Sequence, residues 1–256
     1  MVCGWPSFPS YVLTAAKLGA EARRVPLRDH TYDLEGLLAA IGPRTKLVYV
    51  CHPNNPTGTA NGREELVGFL DRLPGHVLCV LDQAYFEYID DPDYVDGLEL
   101  FRAGRRIAVL RTFSKIYGLA GLRVGWGVAP GDVAAATSKV RRAFDVAATA
   151  QAAALASLDD AQEIARRREL NATGRERLAE ILRGHGLEPA GPSRGNFLFA
   201  DVGGGRELFE RLQREGVIVR PLDGFGAPEA IRVTVGTPEE NEFFAVGLGH
   251  VLSGVS

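Results

Sequence analysis

Lys46-Leu-Val-Tyr-Val-Cys51 runs straight into His52-Pro-Asn-Asn-Pro-Thr-Gly58, and Val77-Leu-Cys-Val-Leu81 runs straight into Asp82-Gln-Ala-Tyr85. Both apolar runs lack the in/out alternation of a half-solvated strand, as central strands of a parallel sheet covered by helices must. Strand patterns also fall at residues 21–26, 107–112 and 125–129. Between them lie helix candidates at 34–41, closed by Gly42-Pro43, and 63–73, closed by Pro74-Gly75. Strands alternating with helices predict an α/β fold with a mostly parallel sheet flanked by helices.

The character changes downstream. Residues 130–186 read as helical, first Ala-rich and then Arg/Glu-rich. A strand at 196–202, a helix at 206–215, strands at 217–220 and 231–235, and a helix at 238–252 come next, which predicts a smaller C-terminal α+β domain. The expected division is a large domain over residues 1–158 and a small domain with its linking helix over residues 159–256.

Bulk properties narrow the function classes. With 29 basic against 32 acidic residues and no block of either sign, nucleic acid and membrane surfaces are poor partners. The N-terminus carries no charged leader or apolar h-region, so a cytoplasmic location is expected. Cys3, Cys51 and Cys79 are odd in number and read as buried reduced thiols. The five histidines show no ligand spacing, and no structural metal is expected.

In an open α/β sheet, ligands bind beyond the carboxyl ends of the strands. Successive strand ends here carry an amide-rich turn, then Asp82 and Tyr85, then Thr112-Phe-Ser-Lys115. Lys115 stands out further because the chain has only four lysines, at 17, 46, 115 and 139, among its 29 basic residues. Where arginine is the habitual cation, a retained lysine points to an amine that can lose its proton and attack a carbonyl. Hydroxyls at Thr112 and Ser114, glycines at 118, 121 and 125, and Arg123 surround it as an anion site surrounds its charge.

Pro53-Asn-Asn-Pro-Thr-Gly58, Asp82-Gln-Ala-Tyr85 and Thr112-Phe-Ser-Lys115 with Arg123 resemble the fold type I pyridoxal-phosphate enzymes, aminotransferase class I/II, in order and spacing along essentially the whole chain. Pro6-Ser-Phe-Pro-Ser-Tyr11, Val217-Ile-Val-Arg220-Pro221 and Ile231-Arg-Val-Thr-Val-Gly-Thr-Pro-Glu-Glu-Asn241 are most similar to the histidinol-phosphate aminotransferases and the related bacterial aromatic aminotransferases.

The resemblance implies a role for each residue. Lys115 bonds the cofactor covalently and, once displaced, moves a proton at the substrate Cα. Asp82 pairs with the pyridine nitrogen. Asn55 and Tyr85 hold the cofactor's phenolic oxygen, Thr112, Ser114 and Arg123 its phosphate, and Phe8 stacks on its ring. Arg232 grips the substrate's acid group and Arg220 is a second substrate-side cation. Asn196 has a supporting place, and Gln83, where an acidic residue is commoner, points away from the ring. The implied substrates are histidinol phosphate and the glutamate/2-oxoglutarate couple, and the implied assembly is a homodimer.

Bland alternatives stand beside these roles: a chance surface cation for Lys115, a helix cap for Asp82, a turn residue for Asn55, a core aromatic for Phe8, a strand-end cation for Arg220. The family carries more sequence before Pro6-Ser-Phe8, including a glycine turn that helps hold the phosphate and an arm given to the neighbouring subunit. The expectation is therefore an N-terminally truncated enzyme. The other readings open at this point are an aromatic amino acid aminotransferase, a decarboxylase using the same cofactor, and a catalytically impaired fragment serving as an interaction module.

Overall fold

A computed structural model of the chain describes residues 1–254. The first half lays down strands β1 (Val2–Trp5), β2 (Arg23–Pro26), β3 (Leu47–Cys51), β4 (Leu78–Asp82), β5 (Ile107–Thr112) and β6 (Gly125–Val128). They form one sheet in the order β2-β1-β3-β4-β5-β6, parallel throughout except that β6 runs antiparallel to β5. Helices α1 (Ser10–Lys17), α2 (Leu34–Ala39), α3 (Arg63–Asp71) and α4 (Gly97–Arg102) connect the strands. Leu37 of α2, Leu66 and Phe69 of α3 and Leu100 of α4 pack with Val48, Val50, Cys79, Leu81 and Val109 of the sheet in one buried cluster. Of the two unbroken apolar runs, β4 is buried along Leu78–Leu81, while in β3 Val48, Val50 and Cys51 are buried and Leu47 and Tyr49 are half-buried.

Three helices come next: α5 (Gly131–Val140), α6 (Ala148–Leu158) and the long α7 (Ala161–Gly184). A second sheet then forms from β7 (Phe197–Asp201), β8 (Arg220–Pro221) and β9 (Ala230–Thr234), in the antiparallel order β7-β9-β8, with α8 (Gly205–Arg214) and α9 (Pro238–Ser253). Its core joins Leu178 and Leu182 of α7 to Leu198, Leu212, Ile231, Phe244 and Leu248. Thr237 caps α9 in a reciprocal box with Glu240, its hydroxyl accepting from the Glu240 amide at 3.2 Å while the carboxylate accepts from the Thr237 amide at 2.8 Å. Among the described residues no helix is long and apolar enough to cross a membrane.

Several expected boundaries move. The strand expected at 217–220 is paired only at Arg220 and Pro221; Val217 and Val219 turn inward and Ile218 outward, giving strand-like alternation without a ladder partner. Helices α1 and α4, of 8 and 6 residues, are too short to carry much periodic signal in the sequence. Cys3, Cys51 and Cys79 are free and buried, one in each of β1, β3 and β4.

Gly58 fastens the loop after β3 to the C-terminal part of the chain. It adopts φ +77°, and an added Cβ would fall 2.1 Å from Ser193 Oγ. Its carbonyl accepts from the Arg194 amide at 2.7 Å. Arg194 also forms an ion pair with Asp91.

Candidate active site

Parallel pairing sets Cys51 of β3 beside Asp82 of β4, and Asp82 beside Leu110 of β5, so the segments after these strands emerge along one sheet edge. Asp82 Oδ1 accepts from the Ala84 amide at 3.1 Å and Oδ2 accepts from the Tyr11 hydroxyl at 2.6 Å. Burial pushes the Asp82 carboxyl up from its ordinary value, opposed by the Tyr11 and Ala84 hydrogen bonds and by the charge of Lys115.

Lys115 Nζ lies 5.1 Å from the centroid of the Tyr85 ring. Among the described residues it has no ion-pair partner. Burial and the nearby Arg232 guanidinium hold its amine below the usual lysine range, with Asp82 pulling the other way. Tyr85 is itself buried, its ring edge-on to Phe197 at 5.1 Å, and burial pushes its phenol up.

Asn55 is buried, and its Oδ1 accepts a hydrogen bond from Arg232 Nη1 of β9. Arg232 lies 4.8 Å from the Phe197 ring centroid and 5.7 Å from that of Phe225, and its buried Nε has no hydrogen-bond partner. Burial lowers the pKa of its guanidinium, and Arg220 adds to that effect. Arg220 is exposed and faces Arg232 across the β8–β9 pair; both line one cavity of about 430 Å³ with Phe209, Phe225 and Thr234.

The anion elements are less tightly gathered. Thr112 Oγ1 accepts from the Ser114 amide at 3.0 Å, folding the turn that presents Lys115. Arg123 is exposed, sits at φ +55°, and turns its guanidinium onto the Ala120 carbonyl at 2.7 Å. Phe8 is 38% exposed and edge-on to Tyr11 at 5.6 Å. Asn196 and Lys115 line a second cavity of about 590 Å³ against α7 and the start of α9.

Gln83 is fully buried and points away from this edge: it donates to the Val95 carbonyl at 2.7 Å and accepts from the Gly97 amide at 3.0 Å. Arg111 donates to the same amide oxygen and to Asp96, with its guanidinium 3.4 Å from the Phe86 ring centroid. Sequence reasoning assigned no role to Tyr11. The available signal was its position three residues after Phe8: a turn in which the Tyr11 amide donates to the Phe8 carbonyl at 3.2 Å brings the two rings edge to face.

The groups present fit a ring cofactor with one anionic tail and an acidic substrate beside it: a carboxylate with lone pairs to spare, an amine free of ion pairs among the described residues, a hydroxyl-bearing turn, and a buried guanidinium with an orphaned N–H for the substrate's acid group. A mostly parallel sheet with Asp82 at one strand end and Lys115 just past the next, together with a second sheet supplying Arg232, is the fold type I architecture of the aminotransferase structures the chain resembles. The chain belongs to the family described as aminotransferase class I and II, whose model matches residues 2–248. It is 45% identical over 250 residues to a histidinol-phosphate aminotransferase of Moorella thermoacetica, covering 97% of this chain and 64% of that protein. It is 44% identical over 252 residues to the Geobacillus thermodenitrificans histidinol-phosphate aminotransferase, covering 98% and 69%. The crystal structure of a histidinol-phosphate aminotransferase from Sinorhizobium meliloti in complex with pyridoxal-5'-phosphate superposes with a TM-score of 0.89 at 30% identity, covering all of this chain and 71% of that one. The chain thus spans about two thirds of the length of the curated relatives it matches.

Proposed function

We propose that this chain carries the pyridoxal 5'-phosphate site of an aminotransferase that exchanges the amino group between histidinol phosphate and 2-oxoglutarate, a step of histidine biosynthesis. The observation that carries the reading is the placement of Lys115, an amine without an ion pair and below its ordinary pKa, just beyond the strand next to the one that ends in Asp82. The names of the relatives and the similarity across nearly the whole chain support the substrate assignment.

The cofactor, when bound, supplies a ring that accepts electrons from the substrate Cα. Lys115, Asp82, Tyr85, Asn55, Thr112, Ser114 and Arg123 hold it in this reading, with Phe8 against the ring. Asp82 keeps the ring nitrogen protonated. Lys115 removes and returns the proton at the substrate Cα, a role its lowered pKa favours because more of the amine is neutral near pH 7. Arg232 receives the acid group of each substrate in turn, and Arg220 adds a second positive charge in the same cavity.

Residues 1–158 act as the cofactor-bearing large domain and residues 159–256 as the small domain that brings Arg232. The working unit is a cytoplasmic homodimer; the exposed apolar residues Val140, Phe144, Leu155 and Leu158 on and between α5 and α6 support a contact there. The test is a set of amino-group half-reactions with histidinol phosphate, phenylalanine and tyrosine on the cofactor-treated chain. Faster turnover of histidinol phosphate is expected; preference for the aromatic acids would replace this substrate assignment.

A further inference from the structure

We infer that Tyr11 is a positioning residue for Asp82: its hydroxyl anchors one carboxylate oxygen and keeps the group ionised and fixed in plane. The two residues are 71 apart in sequence, and the bond between them is 2.6 Å. Tyr11 is the second residue of α1, buried, with its ring stacked on Tyr49 of β3 at 4.6 Å and 21°. Phe8 adds an edge contact at 82°. The ring is therefore held on two sides, and the hydroxyl arrives at Asp82 without much freedom left to lose.

The carboxylate is pinned at both ends, since Oδ1 accepts from the Ala84 amide while Oδ2 accepts from Tyr11. Turning it about its Cβ–Cγ bond would break both hydrogen bonds, so its plane is set by a backbone donor on its own strand end and a side-chain donor from α1. Each oxygen keeps a further lone pair for another donor. The Tyr11 hydroxyl is a dependable donor: burial, and then the Asp82 charge beside it, push its own pKa well above the ordinary phenol value. Lys115 is the charged group that reaches Asp82, while Tyr49, Cys51, Tyr85 and Tyr94, whose own ionisation Asp82 opposes, stay neutral near pH 7. Burial works against an ionised Asp82, and the Tyr11 hydrogen bond is the foremost influence favouring ionisation.

The consequence for transamination rests on the proposed role of Asp82 at the ring nitrogen; the Tyr11–Asp82 coupling itself does not. The experiment is a carbon-13 carboxyl titration of Asp82 in the chain without cofactor, for wild type and Tyr11→Phe, which removes one oxygen and leaves the stack on Tyr49. A hydrogen bond to a charged group predicts a fall of about tenfold in the Asp82 acid dissociation constant. Replacing Tyr11 by a ring-fluorinated tyrosine, a stronger donor of nearly the same shape, should move the constant the opposite way and keeps the test open should Tyr11→Phe fold poorly.

Tyr49→Leu disturbs the stack but spares the hydroxyl, so it should move Asp82 far less than Tyr11→Phe. In cofactor-treated protein, Tyr11→Phe should also shift the pH dependence of the bound chromophore and lower kcat with little change in KM for the amino donor. An Asp82 that titrates identically in folded wild type, Tyr11→Phe and fluorotyrosine proteins would overturn the inference, as would Tyr49→Leu matching Tyr11→Phe. If the wild-type chain takes up no cofactor, the proposed function fails while the carboxyl titration still decides the role of Tyr11.

Discussion

Arg232 and Asn55, 177 residues apart in sequence, are joined by a hydrogen bond from the Arg232 Nη1 to the Asn55 Oδ1. It ties the central strand of the small sheet to the loop after β3, and so couples the residue assigned to the substrate's acid group to one assigned to the cofactor. Arg232→Lys keeps the charge but loses the planar fork, and should reduce kcat/KM for dicarboxylic substrates by about tenfold or more. Asn55→Ala should cost about 1–3 kcal/mol of stability by leaving a buried guanidinium N–H without its acceptor. Chemical denaturation of both variants checks the second figure, and steady-state kinetics the first.

The environment of Lys115 predicts its reactivity. Burial and Arg232 lower its pKa, so its neutral form is populated at lower pH than for an ordinary lysine. Competitive acylation between pH 7 and 9, with the modified peptides resolved by mass spectrometry, should label Lys115 earlier in the pH series than an unperturbed lysine. In Arg232→Gln the onset should move to higher pH, because one of the influences lowering it is gone.

His52 predicts an acid-sensitive component of stability. It is buried, its Nε2 lies 3.0 Å from the Asn61 carbonyl oxygen, its ring stacks on Tyr94 at 4.6 Å, and burial lowers its pKa to about 4. Between the ordinary value of 6.5 and 4 the unfolded chain binds more protons than the folded one at this site, so stability rises with pH through that window and is lost as acid is added. The full effect is about 3 kcal/mol. His52→Gln should flatten the pH dependence of unfolding in that interval, measured by denaturant titration at several pH values.

Gly58→Ala should destabilise the chain by about 1–3 kcal/mol. Residue 58 has φ +77°, and the new methyl would collide with Ser193. Because that contact joins the loop carrying Asn55 to the C-terminal part, the variant should also weaken substrate binding. Thermal unfolding together with KM for the amino donor provides the check.

The central strands were the most legible part of the fold, because the sequences of β3 and β4 are unbroken apolar runs and β3, β4 and β5 each lead into a chemically distinctive segment. Lys115 was legible as a candidate from arginine-rich composition, and Asp82, Tyr85 and Asn55 as candidates from their places after strand ends. The bond between Arg232 and Asn55 was not: it depends on how the small sheet sits over the large one, which no local pattern encodes. Tyr11 escaped for a related reason, since its meaning lies in an oxygen from a residue 71 positions away. The weak point was the stretch from Val217, where inward and outward side chains alternate as in a strand while the backbone pairs only at Arg220 and Pro221. Alternation reports burial, and burial does not supply a ladder partner.

Borohydride reduction of the chain in the presence of pyridoxal phosphate, with peptide mass spectrometry to locate the label, tests the central claim most directly. One modified residue, Lys115, is expected, with no fixation in Lys115→Arg even though the positive charge is kept. Label spread over Lys17, Lys46 and Lys139 in proportion to exposure, or no label on a folded chain, would contradict it.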